Sequence, residues 1–74
     1  MRYDMEFANK IKMLRTVMNI SQENLARELG VSFATINRLE NGKTFPSYRT
    51  QKNFSNFCEK YKKILGVHYE ELRK

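Results

Sequence analysis

Apolar residues recur along this chain at helical spacing and change phase at single turn residues. Between Met5 and Met18, Phe7, Ile11, Leu14 and Met18 fall at i, i+4, i+7 and i+11, one stripe of an α-helix. Asn19 follows where a left-handed residue can close that helix. In the stretch QENLARELGVSFATINRLEN, Gln22 to Asn41, Leu25, Ala26 and Leu29 share one helical face, and Gly30 stands just past its end. Ser21 and Ser32 occupy the two N-cap positions, with hydroxyls able to satisfy orphan amides of the helices that open at Gln22 and Phe33. The second of these helices, Phe33 to Leu39, turns Ile36 and Leu39 inward and is ended by Asn41-Gly42. Small residues at Ala26 and Gly30 let the two helices cross closely at a steep angle, the helix-turn-helix arrangement.

After a loop from Lys43 to Pro46, Ser47 is placed to cap a fourth helix. Its apolar face reads Phe54, Phe57, Cys58, Tyr61, Ile64 and Leu65, with Arg49, Lys52, Lys60, Lys62 and Lys63 opposite. Gly66-Val67 breaks the pattern, and His68 to Arg73 reads as a short fifth helix. The fold class expected is therefore all-α, a five-helix arrangement forming one domain over residues 1–74, with its helix-turn-helix unit at 22–41.

An α-helix presented with one polar edge has the right width for the major groove of B-DNA. The charge agrees: 14 Lys plus Arg against 8 Asp plus Glu give +6, suited to a polyanionic partner. A lone cysteine, Cys58, permits no internal disulfide and offers no metal pair, and no apolar run is long enough for a membrane span. A cytoplasmic protein with no cofactor is expected, and the recurring apolar stripes argue against disorder.

From about Phe7 to Leu72 the sequence resembles the lambda-type repressor and Cro family of bacterial and phage DNA-binding domains, the XRE-like family. The resemblance is carried by Ile11-Lys12-Met13-Leu14-Arg15, Ser21-Gln22, Leu25-Ala26, Gly30-Val31-Ser32, Leu39-Glu40-Asn41-Gly42-Lys43 and Pro46-Ser47. It implies a lambda-repressor-like fold and sequence-specific binding of double-stranded DNA by a homodimer. The function implied is transcriptional regulation by repression at a two-fold related operator, in a bacterial or phage-encoded setting.

The resemblance also assigns roles. It places Phe33, Ala34, Asn37 and Arg38 over base edges. Arg38 suits guanine O6 and N7, Asn37 suits adenine or a phosphate, and Phe33 and Ala34 suit a thymine methyl. Gln22, at the first turn of its helix, is placed to bond a phosphate oxygen, with Ser32, Thr35, Asn41, Lys43 and Thr44 as further backbone contacts. Arg15 and Glu40 match positions that form a structural ion pair. The alternative for Phe33 is that it folds back into the core beside Val31.

The chain departs from the family between Pro46 and Gly66, where about seven residues, roughly 10 Å of helix, are added. They either extend the fourth helix, keeping its apolar face in phase, or lengthen the loop around Tyr48 to Gln51. An extended helix would enlarge a dimer interface built from residues 47–73.

Other signals carry less. Gly42-Lys43-Thr44 imitates the end of a phosphate-binding loop, but Asn37 stands where that motif's first glycine belongs. His68 and Cys58 are too isolated for a metal site or a nucleophilic pair, so Cys58 reads as core and His68 as a border of the last helix. Adjacent Glu70 and Glu71 do not point together. No catalytic constellation emerges, so an enzyme is not expected. The competing reading is a protein partner: an antitoxin or controller protein, or the DNA-targeting module of a restriction-modification system. The basic fourth helix could also lie on an anionic membrane, although its apolar stripe is more simply core.

Overall fold

From the end of the first helix to the start of the fourth, the helix boundaries coincide with capping or left-handed residues that the sequence supplies. The computed structural model describes residues 5–73, which are mostly helical with no strand among them. The elements are α1 (Met5–Met18), α2 (Gln22–Leu29), α3 (Phe33–Glu40), α4 (Tyr48–Lys60), α5 (Lys62–Leu65), a 3-10 turn (Gly66–His68) and α6 (Tyr69–Arg73). Ser21, Ser32 and Ser47 cap α2, α3 and α4, accepting from the N–H groups of Asn24, Thr35 and Thr50 at 3.0, 3.1 and 3.1 Å.

The C-terminal ends of the first three helices repeat one geometry. Asn19, Gly30 and Gly42 take φ of 55°, 69° and 71°. In each case the next amide folds back to a carbonyl five residues earlier: Ile20 to Arg15 at 3.1 Å, Val31 to Ala26 at 3.0 Å and Lys43 to Arg38 at 2.9 Å. This satisfies carbonyls that would otherwise be orphaned and turns the chain sharply.

The expected core forms. Phe7, Ile11 and Leu14 of α1 meet Leu25, Ala26 and Leu29 of α2, Ile36 and Leu39 of α3, and Phe54, Phe57 and Cys58 of α4. Leu65, Tyr69 and Leu72 close it from the C-terminal side. Phe7 and Phe54 stack tilted with centroids 5.0 Å apart, tying α1 to α4. Asn53 of α4 donates to the Leu29 carbonyl at 3.1 Å, fixing α4 against the end of α2.

Two details depart from the sequence pattern. The stretch expected either as extended helix or as a longer loop is helical from Tyr48, but the helical run bends at Tyr61, whose φ and ψ are −110° and 26°. The bend rotates α5 relative to α4. Leu65 remains buried while Ile64, expected on the apolar face, is 63% exposed. The last helix begins at Tyr69, and His68 belongs to the 3-10 turn before it.

The expected ion pair is formed and is more than a surface contact. Arg15 Nε and Nη2 donate to the two carboxylate oxygens of Glu40 at 3.0 and 2.7 Å, a bidentate grip between α1 and the end of α3. Arg15 Nη1 also donates to the Ile20 carbonyl at 3.2 Å, so one guanidinium fixes the α1–α2 turn as well. The Glu40 side chain is 11% exposed and that of Arg15 26%. The hydrogen bonds from Arg15 hold the Glu40 carboxyl below its usual range against the opposing effect of burial.

Removing the carboxylate by Glu40→Ala should cost about 1.5–3 kcal/mol, the worth of hydrogen bonds to a charged group, and lower the midpoint of thermal unfolding measured by circular dichroism. Because the folded-state pKa of Glu40 lies below that of the unfolded chain, its contribution is complete above the ordinary carboxylate range, about 4.3. It is lost as pH falls through the folded value, so the wild-type protein should lose more stability than Glu40→Ala over that acid range. Asn19→Gly should raise stability by a few tenths of a kcal/mol up to about 1, by easing the left-handed residue that ends α1.

Candidate nucleic-acid interface

The side of α3 opposite its buried residues is the surface to which the sequence points. Ile36, Leu39 and Glu40 are buried while Phe33, Ala34, Asn37 and Arg38 are exposed, so an eight-residue helix is divided cleanly between core and solvent. Phe33 is 52% exposed at the tip of the helix, which settles its placement against the folded-back alternative. An aromatic ring held there by the backbone rather than by core packing is available to a partner.

The residues expected to meet phosphates surround this face. Ser32 is exposed; its oxygen is occupied as the α3 cap and its hydroxyl donates to Thr35 Oγ1 at 3.0 Å. Thr35 is half-buried, Asn41 and Lys43 are exposed, and Thr44 is half-buried in the loop after α3. Arg49 and Lys52 are exposed near the start of α4. The cations thus lie around the end of α3 and the start of α4.

Gln22 is placed differently from a freely solvated helix start. It is half-buried, and its Nε2 donates to Glu40 Oε1 at 3.0 Å. Its Oε1 accepts from Asn37 Nδ2 at 3.4 Å, and Asn37 Oδ1 accepts from Asn41 Nδ2 at 3.2 Å. Three of the expected DNA-contacting residues are therefore joined to one another and, through Glu40, to Arg15. The sequence carried one trace of this, the i, i+4 spacing of Asn37 and Asn41 on one helix; the Gln22 link between helices had none.

The structure also exposes two aromatics to which the sequence pattern gave no role. Phe45 is 59% exposed in the loop after α3 and lines a shallow cavity of about 170 Å³ with Thr35, Arg38, Thr44 and Thr50. Tyr48, 78% exposed at the start of α4, stands beside Arg49 and Lys52. Nothing in their local pattern separated them from loop residues with no role.

Cys58 is buried as expected, and burial pushes its thiol up to about 11, which leaves it a core side chain without thiolate character at neutral pH. Among the described residues no group of three His, Cys, Asp or Glu side chains could hold a metal ion. No helix among them is long and apolar enough to cross a membrane.

Comparison with known proteins agrees with this geometry. Residues 11–60 match the family model described as helix-turn-helix. The HTH-type transcriptional activator BcrR of Enterococcus faecalis is 43% identical over 53 residues, 72% of this chain but only 26% of the activator's length. An uncharacterised HTH-type transcriptional regulator of Methanocaldococcus jannaschii, MJ0272, is 39% identical over 64 residues, which is 86% of either chain. No solved structure matches the chain significantly. The capped helices, the glycine turn between α2 and α3, and a family match spanning that unit place this chain in the helix-turn-helix family of the XRE, lambda-repressor-like type.

Proposed function

We propose that this protein binds duplex DNA sequence-specifically and regulates transcription, with α3 in the major groove and α2 lying across the backbone. The observation that carries the reading is the division of α3. Its inward face is locked into the core by Ile36 and Leu39, and its outward face offers Phe33, Ala34, Asn37 and Arg38 to solvent. A rigid rod with such an edge fits the groove, and a guanidinium on it can grip guanine O6 and N7 together. The net charge of +6 and the exposed Lys43, Arg49 and Lys52 supply attraction to phosphates that carries no sequence information. The names of both relatives, transcriptional activator and transcriptional regulator, support the regulatory role.

Repression by promoter occlusion, by a homodimer on a two-fold operator, is the form this reading takes. The segment from α5 onward supports the dimer. Ile64 is 63% exposed and Val67 87% exposed, apolar side chains that pairing of two chains would cover. The paired α3 helices would then enter successive major grooves about 34–36 Å apart.

Selection from a random duplex pool should return an inverted repeat with half-sites one duplex turn apart, bound in preference to scrambled DNA as salt rises. Loss of all preference at higher salt would remove the sequence-reading role. Arg38→Ala should weaken the selected site by about 1–3 kcal/mol and relax one base position; equal loss on selected and scrambled duplexes would make Arg38 a phosphate contact. Light scattering of the wild type at micromolar concentration should give a dimer, and Ile64→Glu combined with Val67→Glu a folded monomer. A wild-type monomer would overturn the dimer.

A further inference from the structure

The amide chain at the edge of the α2–α3 unit has a direction, and a buried charge sets it. Glu40 is ionised and can only accept, so the Gln22 side chain must turn its NH2 group toward Glu40 Oε1, 3.0 Å away. The opposite flip would put two oxygens face to face. With that flip fixed, Gln22 Oε1 faces α3 and can only accept, so Asn37 must turn its own NH2 toward it, at 3.4 Å. Asn37 Oδ1 is left facing outward along the helix and accepts from Asn41 Nδ2 at 3.2 Å. One ionised carboxylate therefore dictates the orientation of three successive amides on the exposed surface.

We propose that Asn37 is a positioning residue for the Gln22 phosphate contact rather than a reader of bases. This rests on the DNA-binding reading and assigns roles within that same face. A primary amide has two N–H donors. Glu40 takes one from Gln22 and Asn37 braces the carbonyl, so the remaining N–H of Gln22 is held in a fixed direction at the first turn of α2. That is the place where unpaired backbone N–H groups also favour a phosphate oxygen. A bidentate grip on adenine would need the N–H and C=O of Asn37 to align together with one base edge. Each end keeps a spare N–H or lone pair, but each already holds a bond within the protein, at 3.4 and 3.2 Å, that ties the plane of the amide to Gln22 and Asn41. Phe33, Ala34 and Arg38 are left to discriminate bases. The coupling also ties the register of α2 on the backbone to that of α3 in the groove, because the two helices share one hydrogen-bonded chain as well as a core.

The test is a double-mutant cycle read on DNA, using the full chain: wild type, Gln22→Ala, Asn37→Ala and the double variant, each titrated on the selected duplex and on scrambled duplex. Alanine is the stronger helix former, and both side chains lie outside the core, so melting curves should show all four folded. Asn37→Ala is expected to weaken binding about threefold to tenfold, the worth of one hydrogen bond, on both duplexes alike. The double variant should be within about twofold of Gln22→Ala alone, as for two residues acting as a unit. Site selection repeated with Asn37→Ala should return the wild-type sequence. A changed base at one half-site position, or single losses that multiply in the double variant, would overturn the positioning role and make Asn37 a reader in its own right. A wild type that prefers no sequence over scrambled duplex would overturn the DNA-reading function itself, a separate and distinguishable failure.

Discussion

The bidentate contact between Arg15 and Glu40 adds a direction to what the hydrophobic core fixes only by filling space. Core packing sets the distances between the helices, but apolar burial itself is non-directional. A guanidinium gripping a carboxylate through two hydrogen bonds, at 3.0 and 2.7 Å, has one geometry. It fixes the end of α3 relative to α1, and the further bond from Arg15 to the Ile20 carbonyl fixes the chain as it enters α2. Because Glu40 also accepts from Gln22, the same carboxylate orients the first residue of α2. Three helices are indexed to one largely buried charge.

The exposed face inherits that precision. Recognition of base edges tolerates little displacement, and a helix eight residues long has few side chains with which to achieve it. In this protein α3 is capped at its start by Ser32, closed at its end by Gly42, locked on its inner side by Ile36 and Leu39, and pinned at Glu40. The outward residues then need no internal packing of their own. That freedom is why Phe33 and Arg38 can stand exposed on so short a helix without loss of order.

The C-terminal third obeys a different logic. The bend at Tyr61 divides a helical run that the sequence pattern continues, and it turns Leu65 inward while Ile64 and Val67 are left outside. Tyr69 is buried instead, under Lys62 and Arg73, whose charged ends lie 4.9 and 5.8 Å from its ring. The core is thus closed by an aromatic and two aliphatic stems, while Ile64 and Val67 stay exposed.

The sequence by itself determined the first three helices, their inner faces and the turns between them, because each depends on local chemistry: serine at an N-cap, glycine or asparagine at a left-handed end, apolar residues at helical spacing. It also determined that Phe33, Ala34, Asn37 and Arg38 share an outward face, since the same periodicity that buries Ile36 and Leu39 exposes them. The Arg15–Glu40 pair was legible only through the resemblance to a family, as the two residues are 25 positions apart and nothing in their neighbourhoods links them. The tertiary structure alone decided the bend at Tyr61, the exposure of Ile64, and the amide chain from Glu40 through Gln22 to Asn37 and Asn41. Those depend on distances between helices, which are set by how the whole core fills, and a hydrogen bond forms or fails within a few tenths of an ångström.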